Sequence, residues 1–351
     1  MTVAVLGAGS WGLALAQLLH QRDRPVRLWA RRPEVARELA LRRHHPVYLP
    51  LLALGASITI TDDLEAALAP ADLVVFAVPT LGMRQVAASA SPWLGRARLV
   101  VSAAKGFEPE SALTMSAVLT AALPERLHDH LAVLGGPNIA AEVAAGLPSA
   151  AVVAARDRAT AARALAALAA PSWRLYSSDD PLGVEVAGAL KNVVAIAAGI
   201  CDGLGVGDNA KAALMTRGLA EMTRLGVRVG ANPFTFGGLA GVGDCLVTCM
   251  SPHSRNRQLG EALGRGASPG EVRDRGPMVV EGVNAARAAV GLARRHQVEL
   301  PISSEVHALL FEGKTVADAA RAIMGRDLRP ELLPEDLGLV GAVPWARVLD
   351  R

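Results

Sequence analysis

An apolar strand, a glycine turn and a helix stand at the start of this chain. Val3-Ala4-Val5-Leu6 runs into Gly7-Ala8-Gly9-Ser10-Trp11-Gly12 and then Leu13-Ala14-Leu15-Ala16. A G-x-G-x-x-G turn in that context constrains the fold more than any other feature, because it belongs to a βαβ unit in a parallel sheet. Gly7 permits the tight turn, Gly9 lets a pyrophosphate approach the main chain, and Gly12 lets the helix lie close to the strand. The helix N-terminus then faces the phosphates. The alternative is a glycine turn with no ligand.

The rest of the first half keeps the same rhythm. Short β-branched runs at Val3–Leu6, Val26–Trp29, Ile58–Ile60, Leu73–Ala77, Leu99–Ser102, Leu131–Leu134 and Ala150–Ala154 alternate with alanine-rich helical patterns. This predicts an α/β, Rossmann-like, doubly wound parallel sheet over residues 1–181. Past about residue 182 the rhythm stops, and helical signatures with glycine breaks continue through Leu310 and Ile323, so 182–325 reads as an all-α C-terminal domain. Residues 326–351, with Pro330, Pro334 and Pro344, read as an extended appendage. A length of 351 residues suits two domains, each with its own core and a cleft between them.

Composition narrows the partners. A net charge of +3 with no lysine-rich run implies neither nucleic acid nor an anionic membrane surface, and 3% aromatics leave little surface for stacking bases. Cys201, Cys245 and Cys249 are too few for a disulfide framework, which fits a reducing cytoplasm. Residues 1–19 carry no charged side chain, but they lack a positive leader segment and the glycines interrupt them, so a signal peptide is not expected. Asp72, Pro79, Glu185 and Lys191 break the other apolar stretches, so no integral membrane span is expected.

The end of the second strand bears on the choice of cofactor. About twenty residues past the glycines an NAD enzyme usually carries an acid for the ribose 2′-hydroxyl. Here stand Ala30, Arg31 and Arg32. Two guanidinium groups suit a 2′-phosphate, which predicts NADPH as the preferred cofactor with NADH possible; otherwise the two arginines are solvated surface charges.

Lys191 is a single cation inside a small, apolar run from Val184 to Gly199, which reads as a buried helix. A lysine there must be paired, shift its pKa, or snorkel to the surface. Lys105, in Ser102-Ala103-Ala104-Lys105-Gly106-Phe107, follows a strand and so lies at a carboxyl end of the sheet, where ligands bind in open α/β folds. Gly135-Gly136-Pro137-Asn138-Ile139-Ala140 follows another strand. In the helical half, Gly243-Asp244 and Thr248-Cys249 precede Ser251-Pro252-His253-Ser254-Arg255-Asn256. Ser251 and Pro252 read as an N-cap and first helical position, placing Ser254, Arg255 and Asn256 in a first turn that favours a phosphate.

Together these segments resemble the NAD(P)-dependent glycerol-3-phosphate dehydrogenase family of bacterial type. The motifs that carry the resemblance are the glycine loop with Ser10 and Trp11, Ser102-Ala103-Ala104-Lys105-Gly106, and Gly136-Pro137-Asn138-Ile139-Ala140-x-Glu142. Lys191-Asn192, the run from Gly203 to Leu214 with Asp208, Asn209 and Lys211, Gly243-Asp244-x-x-x-Thr248-Cys249, Ser254-Arg255-Asn256 and Val280-Glu281-Gly282 complete the set. The resemblance spans about residues 3–325. It implies reversible reduction of dihydroxyacetone phosphate to sn-glycerol 3-phosphate, supply of glycerophospholipid biosynthesis, and a homodimer.

Carried onto this sequence, the resemblance makes Lys191 the proton donor and acceptor at the substrate C2 oxygen. Asp244 orients it and balances its charge, Thr248 lines the same pocket, and Lys105 polarises the carbonyl or steadies the phosphate. Gly136, Asn138, Ser254, Arg255 and Asn256 hold the substrate. Ser10, Trp11, Arg31, Arg32, Lys105, Ala140, Arg255, Val280 and Glu281 hold the cofactor. Departures are Asn138 where many members carry serine, Cys245 where leucine is common, and Met250 where a small hydroxyl residue is common.

Other readings compete. A β-hydroxyacid dehydrogenase also pairs such a domain with a helical one and a Lys-Asn motif, but Ser254-Arg255-Asn256 suits a phosphate ester better than a carboxylate. An NADPH-binding sensor without turnover leaves Lys105, Lys191 and Asp244 unexplained. Cys245, Cys249 and His253 recur at i, i+4 and i+8, yet Pro252 interrupts the helix and a fourth ligand is missing, so no metal is expected. His44 and His45 read as surface residues, Trp29, Trp93 and Trp173 as packing residues, and Lys211 as a loop anchor or a contact to substrate or partner.

Overall fold

The computed structural model describes residues 1–21, 24–273, 280–327 and 330–331. Eight strands, β1 (Val3–Leu6), β2 (Val26–Trp29), β3 (Thr59–Thr61), β4 (Leu73–Phe76), β5 (Leu99–Ser102), β6 (Leu131–Gly135), β7 (Ser149–Ala154) and β8 (Trp173–Ser178), form one sheet in the order β3-β2-β1-β4-β5-β6-β7-β8. β1 and β4 are fully buried apolar runs, as strands covered on both faces must be. Strand order reverses between β1 and β4, which opens a crevice at their carboxyl ends.

The sheet departs from the expected one in two ways. β6 and β7 pair antiparallel, with Gly135 opposite Val152. The connection between them leaves and re-enters at the carboxyl end of β6, so β7 runs back instead of crossing over. β8, absent from the expected strands, pairs parallel to β7 along its whole length. Its sequence Trp173-Arg174-Leu175-Tyr176 alternates buried and exposed side chains, a period-two signal present in the sequence.

Past Ser178 the described residues are helical. A central helix, Pro181–Leu204, begins at Asp180, whose carboxylate accepts the Gly183 N–H, and every residue from Gly183 to Ile200 is buried. The helices Asp208–Arg228, Asp244–Met250, Arg255–Gly264 and Glu281–His296 pack around it. The closest approach is to Arg255–Gly264, where glycines meet on both sides. A Cβ on Gly199 would lie 2.0 Å from the Arg257 carbonyl oxygen, and one on Gly260 1.9 Å from that of Ile196. The central helix, with a mean hydropathy of 1.6, is long and apolar enough to cross a membrane, contrary to the expectation that Glu185 and Lys191 would break it, yet it is 94% buried inside this fold. Pro233–Met250 passes the same length and composition test at 39% burial.

One apolar cluster joins the two halves, with Val133, Val152 and Ala154 of the sheet meeting Val184, Leu190 and Phe236 of the helical half. Phe107, two residues after Lys105, is buried in that cluster, so the Lys105 loop is anchored against the helical half. Two further expectations change. His45 is buried, its Nδ1 accepting the N–H groups of Val47 and Tyr48, and burial pushes its pKa down. Trp93 is 37% exposed. Of the expected appendage 326–351, residues 328–329 and 332–351 lie outside the described residues.

Candidate active site

The glycine turn has the geometry its sequence demands. Gly7 has φ +115°, and a Cβ there would lie 2.6 Å from the Ala77 carbonyl oxygen; one on Gly12 would lie 1.8 Å from that of Gly7. At Gly9 a Cβ would meet nothing within 4 Å, so the missing side chain leaves open space beside the main chain. The helix Ser10–His20 starts at Gly9 with no side-chain cap, leaving the first-turn N–H groups to face an anion. These residues fit a dinucleotide. Arg31 and Arg32 are exposed just past the end of β2, and Arg32 lies 3.8 Å from Glu34.

The chemical residues come from three places in the chain and meet on one carboxylate. Asp244, 1% exposed, stands at the start of the helix Asp244–Met250, with Thr248 one turn further on. Lys191 Nζ donates to Asp244 Oδ1 at 2.6 Å and to Thr248 Oγ1 at 2.7 Å. Lys105 Nζ donates to Asp244 Oδ2 at 2.8 Å and to the Gly136 carbonyl oxygen at 2.7 Å. Lys191 therefore pairs instead of snorkelling. Two ammonium groups against one carboxylate leave a buried net positive charge. Burial and the Lys191 charge push the Lys105 pKa down, against the pull of Asp244, to about 8. Such a cluster can stabilise an oxyanion and move a proton to it.

Amides knit the surroundings together. Asn192 Nδ2 donates to the Gly188 carbonyl oxygen at 3.2 Å, Asn256 Nδ2 donates to Asn192 Oδ1 at 2.8 Å, and the Gly282 N–H donates to Asn256 Oδ1 at 3.0 Å. The Asn256 side chain thus ties three helices together. Asn138 is similarly engaged, donating from Nδ2 to the Gly136 carbonyl oxygen at 2.9 Å and accepting the Trp173 indole N–H at 2.8 Å.

The helix expected to face a phosphate starts later than its sequence suggests. Ser254, not Ser251, is the N-cap, its Oγ accepting the Arg257 N–H, and Arg255 is the first helical residue. Ser251 instead closes the preceding helix, because Pro252 and His253 form a turn between the two. Glu281, the first residue of its helix, accepts the Thr80 N–H at 3.1 Å and the Thr80 hydroxyl at 2.5 Å; burial pushes its pKa up, and the Arg255 charge opposes this. Val280 is the N-cap of that helix, and Ala140 opens a short helix, Ala140–Ala144, which packs on Ser10–His20.

Thr80, Asn192 and Trp173 join the site without being among the residues expected there. Lysine scarcity is a further signal: of 36 Lys and Arg residues only Lys105, Lys191, Lys211 and Lys314 are lysines, and two of these share Asp244. Lys211 pairs with Asp202 at 2.8 Å, an anchor. Cys245 and Cys249 Sγ lie 3.9 Å apart, His253 is exposed, and no three metal-ligating side chains group together among the described residues.

A doubly wound nucleotide sheet whose carboxyl edge faces a buried lysine–aspartate cluster on a helical half defines a class, the two-domain dinucleotide-dependent dehydrogenases. The comparisons narrow it. Residues 2–161 match the family described as NAD-dependent glycerol-3-phosphate dehydrogenase N-terminus, and residues 180–321 its C-terminus, so the chain belongs to the NAD-dependent glycerol-3-phosphate dehydrogenase family. It is 48% identical over 325 residues to glycerol-3-phosphate dehydrogenase [NAD(P)+] of Moorella thermoacetica, covering 93% of this chain and 96% of that one. A relative from Salinibacter ruber of the same name is 47% identical, over 94% and 97% of the two chains. The crystal structure of glycerol-3-phosphate dehydrogenase from Coxiella burnetii superposes with a TM-score of 0.86 at 34% identity, covering 92% of this chain and 98% of that one.

Proposed function

We propose that this chain interconverts dihydroxyacetone phosphate and sn-glycerol 3-phosphate with a nicotinamide dinucleotide, NADPH in preference to NADH. The observation that carries the reading is the Lys105–Asp244–Lys191 cluster at the carboxyl edge of a dinucleotide fold. The bound cofactor supplies or takes the hydride. Gly7, Gly9 and Gly12 with the N–H groups at Ser10 and Trp11 would hold its pyrophosphate, and Arg31 and Arg32 its 2′-phosphate. Ala140, Val280, Glu281 and Arg255 would complete its contacts.

In reduction Lys191 Nζ, held by Asp244 and Thr248, delivers a proton to the substrate C2 oxygen; in oxidation the same nitrogen removes it. The second ammonium, Lys105, polarises the same oxygen. Arg255 and the first-turn N–H groups after Ser254 take the phosphate. The Asn138 and Asn256 amides, each bonded within the protein through one N–H and the oxygen, shape the site and keep a second N–H for the substrate.

NADPH oxidation followed with dihydroxyacetone phosphate, against ketoacid controls, tests this. Turnover with the phosphate ester alone supports it; turnover with ketoacids alone would assign the β-hydroxyacid dehydrogenase reaction, and no turnover with either the sensor reading. We further propose that the product feeds glycerophospholipid synthesis in the cytoplasm, to which three free cysteines are suited. Exposed Phe234, Leu246 and Met250 on the helical half support a homodimer, which light scattering checks.

A further inference from the structure

The Gly136 carbonyl oxygen accepts two hydrogen bonds, one from Lys105 Nζ at 2.7 Å and one from Asn138 Nδ2 at 2.9 Å. Gly136 has φ +98°, a region only glycine enters freely, so its own sterics do little to fix where that carbonyl points. Something else must. The Asn138 amide does so only in one of its two orientations, with nitrogen toward the carbonyl and oxygen away.

Trp173 chooses that orientation. An indole N–H can only donate, and it donates to Asn138 Oδ1 at 2.8 Å, which obliges Nδ2 to face Gly136. Trp173 is itself rigid: it is 1% exposed, it pairs with Ser149 at the start of β8, and Trp11 of the nucleotide turn packs edge-on against it at 6.1 Å between ring centroids. No step of the proposed reaction uses Trp173, and it lies on an edge strand outside the motifs that carry the chemistry.

We infer that Trp173 is a positioning residue for Lys105, locking the Asn138 amide that fixes the Gly136 carbonyl on which the Lys105 ammonium rests. The inference rests on the reading of Lys105 as an active-site cation. Without the indole N–H the amide is free to turn over, the carbonyl loses its brace, and the ammonium loses an acceptor that favours its charged form.

With only four lysines, the full-length chain labelled with [ε-13C]lysine gives four titration curves, and Lys105→Arg identifies the one wanted. In Trp173→Phe and in Asn138→Ala the Lys105 titration is expected to move down by about half a pH unit or more. The kcat for reduction should fall several-fold. In the Asn138→Ala background, Trp173→Phe should move the titration no further, since it acts through that amide. A Lys105 titration unmoved by Trp173→Phe overturns the inference, as does an equal shift with Asn138 absent. Should Trp173→Phe not fold, an unmoved titration in Asn138→Ala alone overturns it. Because the titration needs no turnover, failure of the substrate assay would overturn the functional reading separately.

Discussion

Lys105 and Lys191, one from a loop after β5 and the other from the central helix, take opposite oxygens of the Asp244 carboxylate at 2.8 and 2.6 Å. The single carboxylate sets both the place and the charge of two ammonium groups. Removing any of the three therefore has a different consequence.

Lys191→Ala deletes the proposed proton donor and leaves the nucleotide turn untouched. Reductive kcat should drop by about 10³-fold or more while the NADPH dissociation constant changes less than about threefold. Steady-state rates and a fluorescence titration measure the two. Substantial residual turnover would remove Lys191 from the proton transfer.

Asp244→Asn leaves two neighbouring ammonium groups without their counter-charge. Breaking such a buried pairing typically costs about 3–5 kcal/mol. Lys105, which loses the pull of that carboxylate, should then titrate further below its value in the unfolded chain. The folded state would bind fewer protons there, so the variant's urea midpoint should rise as pH is raised from neutral toward the unfolded lysine value.

Lys105 titrates at about 8 in the folded protein. If reduction uses its charge as proposed, kcat/KM should fall as pH rises through that value. In Lys105→Arg the positive charge persists, so this alkaline limb should vanish even though the rate is lower throughout. A limb retained unchanged in Lys105→Arg would assign it to another group.

Glu221, 5% exposed, accepts the N–H groups of Ile302 and Ser303 at 2.6 and 3.1 Å and the Ser303 hydroxyl at 3.0 Å. It thereby caps the helix Pro301–Phe311. Burial nevertheless pushes its pKa up, to about 7. The folded state then binds more protons than the unfolded one between the ordinary carboxylate range and pH 7. Stability from this group is present at low pH and lost as pH rises through 7, by at most about 1.4 kcal/mol per pH unit. Glu221→Gln should flatten the pH dependence of the urea midpoint over that window.

Arg31 and Arg32 are exposed at the end of β2, where a 2′-phosphate would lie. Replacing both with alanine should raise the KM for NADPH about tenfold or more and that for NADH little, a single charge-assisted contact being worth about 1.5–3 kcal/mol. An equal change in both would sink their assignment to the 2′-phosphate.

The nucleotide turn is legible in the sequence because its requirements are local. Gly7 needs a positive φ, and Gly12 a close approach within five residues of its partner. Seven strands are legible from β-branched runs. β8 escapes that reading because it begins with Trp-Arg and has a half-exposed face, and the antiparallel step at β7 escapes it because handedness rules apply only where the chain crosses over. Lys191 stands out as a charge in an apolar helix, whereas Thr80 and Trp173 do not, since their partners Glu281 and Asn138 lie 201 and 35 residues away.

The sequence by itself determined the nucleotide turn, the alternation of strand and helix, the helical second half, and the residue types available for chemistry. Those follow from backbone geometry and periodicity over a few residues. Tertiary structure decided which carboxylate oxygen each lysine takes, the lowered pKa of Lys105, the burial of His45, the true start of the Arg255 helix and the Trp173–Asn138 brace. Each of these depends on packing and desolvation, and packing brings together groups as far apart in the chain as Lys105 and Asp244, 139 residues.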